Sequence, residues 1–144
     1  MGTGSPVTIT IETIVHSPVE SVWAYWTEPK HITQWSFASD DWHTPYAEND
    51  LKVGGKFVSR MEAKDGSFGF DFGGVYDEVS LNESITYTIA DGRQVKIAFI
   101  RQDNDTKIIE SFDAEETNAV EMQQAGWQAI LNNFKKYAEA AKEE

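Results

Sequence analysis

The chain has 144 residues, the size of one domain with its own core, and a formal charge of −12 whose field repels phosphate backbones and anionic lipid surfaces. It has no cysteine, which excludes a disulfide framework, a thiolate metal site and a catalytic thiol, and fits a reducing compartment such as the cytoplasm. Five tryptophans, five tyrosines and eight phenylalanines make a heavy aromatic load, and such rings line cores and small-molecule pockets alike.

Residues 1–6 read as a flexible tail. Met1-Gly2 opens like a myristoylation signal, but Pro6 stands where that motif needs serine or threonine. No stretch has the character of a signal peptide, and no apolar run approaches the roughly 20 residues that span a bilayer, so a soluble protein without membrane insertion is expected.

From Val7 to Val15 the residues Val7, Ile9, Ile11 and Val15 alternate with Thr8, Thr10 and Glu12, the period of a half-buried strand. Ser17-Pro18-Val19-Glu20 then reads as a capping box opening a helix. The apolar face of that helix is Val19, Val22, Trp23 and Trp26, and Pro29 ends it by disfavouring helical geometry at Glu28. A short second helix is expected from Lys30 to Trp35. The stretch from Ser36 to Asp50 has no period and reads as a loop with a short strand near Trp42 to Ala47. Trp35, Phe37, Trp42 and Tyr46 are too many large rings for a solvated loop, so several should fold inward.

Gly54-Gly55 marks a turn, Lys56 to Lys64 alternates as a strand, and Asp65-Gly66 closes a hairpin. The next strand carries Phe68, Phe70 and Phe72 on one face, and Gly73-Gly74 within it suggests a bulge that curls the sheet. Ile85, Tyr87 and Ile89 form a further strand, Asp91-Gly92 turns, and Val95, Ile97 and Phe99 form its partner. Asp103-Asn104-Asp105 turns again into a strand whose Ile108, Glu110 and Phe112 share a face. Asn118, with Glu121 three residues on, caps a last helix running to about Ala141. Its stripe of Trp127, Ile130, Leu131, Phe134, Ala138 and Ala141 needs a large apolar surface to lie on. Gly126 beside it suggests close backbone approach, a bend, or room beneath the helix. One domain over residues 7–141 follows. Without βαβ alternation, its fold class is α+β, a curved antiparallel sheet of six or seven strands wrapped around one long helix.

That order of elements resembles the START-like, or Bet v 1-like, helix-grip superfamily, also termed SRPBCC. Within it, Glu28-Pro29 followed by Trp35-Ser36, Asp50-Leu51-Lys52-Val53-Gly54-Gly55-Lys56-Phe57, Asp65-Gly66, Gly74-x-Tyr76-x-Glu78-Val79, Thr106 before Glu110-Ser111-Phe112, and Gly126-Trp127-x-x-Ile130-Leu131 follow in order along the chain. Together these words resemble the family named after the activator of the heat-shock protein 90 ATPase. The resemblance runs from about Val7 to Tyr137. It implies a cavity between the long helix and the concave sheet, which in relatives holds lipids, polyketides, flavonoid-like aromatics or other hydrophobic molecules. It covers the START-like domain alone, without the further domain of a full activator, and many members of the family have no known activity.

The expected function is binding of a hydrophobic small molecule, lipid-like or polycyclic aromatic, by a monomer. The expected lining is Trp35, Phe37, Trp42, Phe57, Met61, Phe70, Tyr76, Tyr87, Phe99, Glu110, Phe112, Trp127, Ile130 and Leu131. Two alternatives stand beside it: a cyclase- or hydrolase-like enzyme using Glu110 as an acid-base group, and a module that binds a chaperone or serves a stress response. Glu110 is either a pocket carboxyl that orients a ligand, with Arg60, Arg101, Tyr76 or Tyr87 in reach, or a rim carboxylate paired with lysine or arginine. His16, His31 and His43 do not form a metal-spaced set, so neither metal nor cofactor is expected, although His31 and His43 flank the aromatic loop. Gly54-Gly55-Lys56 lacks the spacing of a phosphate-binding loop, no nucleophile elbow is present, and nucleic acid is not an expected partner.

Overall fold

A computed structural model describes residues 7–115 and 119–141 of the chain. The elements run β1 (Thr8–Val15), α1 (Val19–Thr27), α2 (Pro29–Trp35), β2 (Trp42–Asn49), β3 (Lys56–Ala63), β4 (Gly69–Ser80), β5 (Ser84–Ile89), β6 (Gln94–Gln102), β7 (Asp105–Asp113) and α3 (Val120–Ala141). The strands form one seven-stranded antiparallel sheet in the order β1-β7-β6-β5-β4-β3-β2. β2 to β7 are therefore a meander, and β1 closes on β7 from Thr8 opposite Asp113 to Val15 opposite Thr106. With α3 lying against one face and α1 and α2 between β1 and β2, the fold is an α+β helix grip.

Strict alternation in β1, β5, β6 and β7 sends Ile9, Ile11, Ile85, Tyr87, Val95, Ile97, Ile108, Glu110 and Phe112 to the concave face, where all are buried. From the helix, Leu131, Phe134 and Ala138 complete that core, with Val19, Val22 and Trp23 of α1 beside them. α3 also fastens an edge. Lys135 Nζ donates to the Ile14 carbonyl at 2.8 Å, Gln128 Nε2 to the Glu12 carbonyl at 3.4 Å, and the Glu139 carboxylate accepts from the His16 N–H at 2.9 Å. These bonds occupy backbone groups that β1 would otherwise present as an open edge.

Several expectations are corrected. The capping box does not form: Pro18 is the N-cap of α1, in extended geometry, and no side chain bonds the cap. Glu20 instead pairs with Arg101 across to β6, while the Ser17 hydroxyl is buried without a partner in the described residues. The helix after Pro29 starts at Pro29 itself, because the missing N–H of proline costs nothing at the first helical position. The short strand expected near Trp42 to Ala47 is present and runs two residues further, as the eight-residue β2 with its Pro45 at the sheet edge. Phe68 lies just before β4 and is exposed. The Asn118 cap lies outside the described residues.

Gly73 and Gly74 are not the bulge. They pair regularly with Val58 and Phe57, and the register shifts between Tyr76 and Glu78 instead. The glycines serve close approach: a Cβ on Gly73 would lie 2.5 Å from the Phe57 carbonyl oxygen, and one on Gly74 2.5 Å from that of Thr88. A second shift, between His43 and Tyr46, adds twist to β2.

Candidate functional site

Between α3 and the concave face of the sheet lies a cavity of about 290 Å³. Trp26 of α1 and Ile32, Trp35 and Ser36 of α2 and its C-cap form one wall, and Trp127 and Ile130 of α3 another. The floor is Phe57, Ser59 and Met61 of β3, Phe70, Phe72 and Tyr76 of β4, Ile85 and Tyr87 of β5, and Glu110 of β7. Glu48 and Phe70, both exposed, stand at its mouth, and Arg93 lines it from the β5–β6 turn.

The rings hold one another at fixed angles, which gives the walls their shape. Phe57 packs edge-on against Tyr87 with centroids 4.7 Å apart, and Phe72 meets Trp127 edge-on at 5.9 Å. Trp35 and Trp26 both lean on Phe134, at 4.9 and 4.8 Å. The Trp35 indole N–H donates to the Tyr25 carbonyl at 2.9 Å, so this wall is fixed by a hydrogen bond as well as by packing.

Polar groups are few. Tyr76 donates its hydroxyl to Asn49 Oδ1 at 2.5 Å, and Asn49 in turn donates Nδ2 to the Thr27 carbonyl at 2.6 Å, tying β4 and β2 to the end of α1. Burial raises the Tyr76 pKa, against the opposing effect of that bond. Tyr87 is raised well above the ordinary tyrosine value, by burial first and then by the neighbouring Glu110 carboxyl. Arg93 Nε donates to Asp91 Oδ2 at 2.8 Å and Nη1 to the Asp113 carbonyl at 3.3 Å.

Glu110 is the exceptional group. It is 6 % exposed, flanked along β7 by Ile108 and Phe112 and across the sheet by Ile11 and Ile97, all buried and apolar. Desolvation alone pushes its pKa up to about 8. Among the described residues it has no hydrogen-bond or ion-pair partner; the only polar surroundings it meets are those of the cavity it lines. The rim-carboxylate reading is thereby removed. So are two of its expected partners, since Arg60 bonds Glu62 and Asp71, and Arg101 bonds Glu20.

Of the residues expected from sequence, Trp35, Phe57, Met61, Phe70, Tyr76, Tyr87, Glu110, Trp127 and Ile130 line the cavity. Phe37, Trp42, Phe99, Phe112 and Leu131 do not. Phe112 is covered by the Trp127 indole, stacked 3.9 Å away at 14°, and Phe99 is enclosed by Trp23 and Trp26 at 5.4 and 5.7 Å. Leu131 is sealed in the core. Trp42 packs outside against Phe68 and Phe70, at 6.0 and 5.9 Å, and half-buried Phe37 offers its carbonyl to Asn133 at 3.4 Å. His31 bonds the Tyr137 hydroxyl at 2.6 Å and His43 faces Glu62 at 3.8 Å, so neither reaches the cavity mouth.

Sequence reasoning missed Trp26, Ile32, Ser36, Glu48, Ser59, Phe72, Ile85 and Arg93 as lining residues. The period-2 pattern that selected Phe70 and Tyr87 also marks Phe72 and Ile85, and the face that holds Val22 and Trp23 marks Trp26. For Ser36, Glu48, Ser59 and Arg93 the sequence carries no such signal. Among the described residues no cluster of His, Asp and Glu could hold a metal ion, and no helix is long and apolar enough to cross a membrane.

Comparison with solved structures places this chain beside an AHSA1-like protein from Aeromonas hydrophila, at TM-score 0.90 and 44% identity over 96% of each chain. A protein from Cytophaga hutchinsonii is 57% identical, with TM-score 0.80 over 95% of each chain. A protein of unknown function from Staphylococcus aureus, 18% identical at TM-score 0.76 over 97% of this chain and 98% of that one, shares the fold. A comparison with curated proteins finds no match. The family model described as "Activator of Hsp90 ATPase homolog 1-like protein" matches residues 16–139, and with those words already seen in order along the sequence, the chain belongs to that family.

Proposed function

We infer that this chain binds a hydrophobic small molecule, lipid-like or polycyclic aromatic, in the cavity between α3 and the sheet. The observation that carries this reading is the space of about 290 Å³ itself, lined by eight aromatic residues and by a buried carboxyl that has no partner among the described residues. A core built for stability alone would close such a space, because unfilled volume forfeits contacts. The volume lies at the small end of the range of ligand sites, roughly 300–1,000 Å³, so two or three fused rings or a short acyl chain fit and a diacyl lipid does not. The family resemblance, whose relatives hold hydrophobic molecules in this position, supports the same reading.

The test is titration of the protein with naphthalene- and flavone-type aromatics and medium-chain fatty acids, followed by tryptophan fluorescence. Saturable quenching by one class, lost when Trp127→Ala removes the wall, is the expected result. An unchanged spectrum with every class rejects the reading.

A second reading, acid-base catalysis of a cyclase or hydrolase type, draws on one observation: a buried carboxyl, its pKa pushed up to about 8 by desolvation, lines the cavity together with a buried tyrosine. It expects turnover of a bound carbonyl compound or ester that Glu110→Gln abolishes. Unchanged compound recovered after long incubation at saturating occupancy removes it.

A further inference from the structure

We propose that the cavity selects a lipophilic amine, a cationic nitrogen on an aromatic or alicyclic body, with the Glu110 carboxylate as its counter-ion. This rests on the reading that the cavity binds a small hydrophobic molecule, and adds what that molecule carries. Glu110 is buried and lines the space, and among the described residues no donor or cation meets its carboxyl. The charged form of such a buried acid is stabilised most strongly by a positive group, and since no described residue is bonded to Glu110, that group is assigned to the ligand.

The surroundings fit a cation. Trp26, Phe57, Phe72, Tyr87 and Trp127 line the same space, and the faces of aromatic rings attract ammonium groups. The titratable and charged groups facing the cavity are Glu48 of β2, Tyr76 of β4, Tyr87 of β5, Arg93 of the β5–β6 turn and Glu110 of β7; the walls from α1, α2, α3 and β3 contribute none. Arg93, the one cation among them, is held by the Asp91 carboxylate at 2.8 Å, so it neither satisfies Glu110 nor presents an uncompensated charge. The field of a chain with net charge −12 concentrates cations and repels anionic ligands at the mouth.

The proton balance follows. Free Glu110, with its pKa near 8, is protonated at neutral pH. When an ammonium enters, the carboxyl gives its proton to the buffer and the ion pair forms, so binding releases close to one proton per ligand. A neutral ligand of the same shape releases none.

The experiment compares 2-naphthylmethylamine with 2-naphthylmethanol on the full chain, by calorimetry in two buffers of different ionisation enthalpy. At neutral pH the amine is expected to bind roughly 10- to 100-fold more tightly than the alcohol, the span of a charge-assisted hydrogen bond. Its affinity should rise close to tenfold per pH unit below the Glu110 titration and level off near about pH 8, while that of the alcohol does not rise. Glu110→Gln should erase both the preference for the amine and the proton release. Amine affinity equal to or below that of the alcohol, or amine binding without proton release, overturns the proposal and leaves the cavity reading standing. Failure of both probes to bind overturns the two together. The pH series uses the unaltered protein, so the outcome does not depend on the variant folding.

Discussion

Glu110 ties the local environment to the behaviour of the whole fold. In an unfolded chain its carboxyl ionises near 4.5, and in the fold only near 8, so between these values folding takes up a proton. Stability therefore falls as pH rises through this window; below it both states are protonated and the penalty vanishes, and above it the penalty levels off. At pH 7 the cost is about 3 kcal/mol from this one group. Glu110→Gln, with nothing to ionise, should lose that slope. Urea unfolding of both proteins at about pH 5 and about pH 8 reads it directly: the gap between them should widen in favour of the variant at the higher pH. Parallel pH profiles would mean that the carboxyl is not desolvated. Alternation in β7 makes Glu110 legible in the sequence, since Ile108 and Phe112 fix the face on which it lies. Its lack of a partner was not legible, because Arg60 and Arg101 are claimed by Glu62, Asp71 and Glu20 through cross-strand and helix contacts that no local pattern records.

Among the elements, β4 and α3 carry the clearest consequences. Gly73 and Gly74 sit where neighbouring carbonyls leave no room for a Cβ, so Gly73→Ala or Gly74→Ala should destabilise by about 2 kcal/mol or more through displacement of the strand. Gly126 is different: nothing lies within 4 Å of the position a Cβ would take. Close backbone approach is thus removed as its reason, and Gly126→Ala should stabilise α3 by about 1 kcal/mol, the helix propensity gain. Thermal unfolding of the three variants separates these cases by the sign of the shift. The strands and both short helices were readable because their alternation, Pro29 and the turn glycines are local signals. The bulge was misplaced because it depends on how Tyr76 to Glu78 meets Tyr87 and Thr86, a cross-strand matter. Phe112 and Phe99 were rightly placed on the inner face yet wrongly placed in the cavity. Whether an inward ring borders open space depends on what covers it, here Trp127 and the pair Trp23 and Trp26.

For the molecule as a unit, the apolar face of α3 serves two purposes: Leu131, Phe134 and Ala138 are sealed in the core, while Trp127 and Ile130 line the cavity. A ligand that fills the cavity binds the folded state alone, so at a hundredfold excess over its Kd it should add about 2.7 kcal/mol to stability. The most direct test of the account locates the ligand rather than its effect. Intermolecular nuclear Overhauser contacts from a saturating aromatic ligand should reach the Trp127 indole, the Tyr87 ring and the Ile85 methyl groups, which converge only inside this cavity. Contacts confined instead to the exterior rings of Trp42, Phe68 and Tyr46 would contradict it.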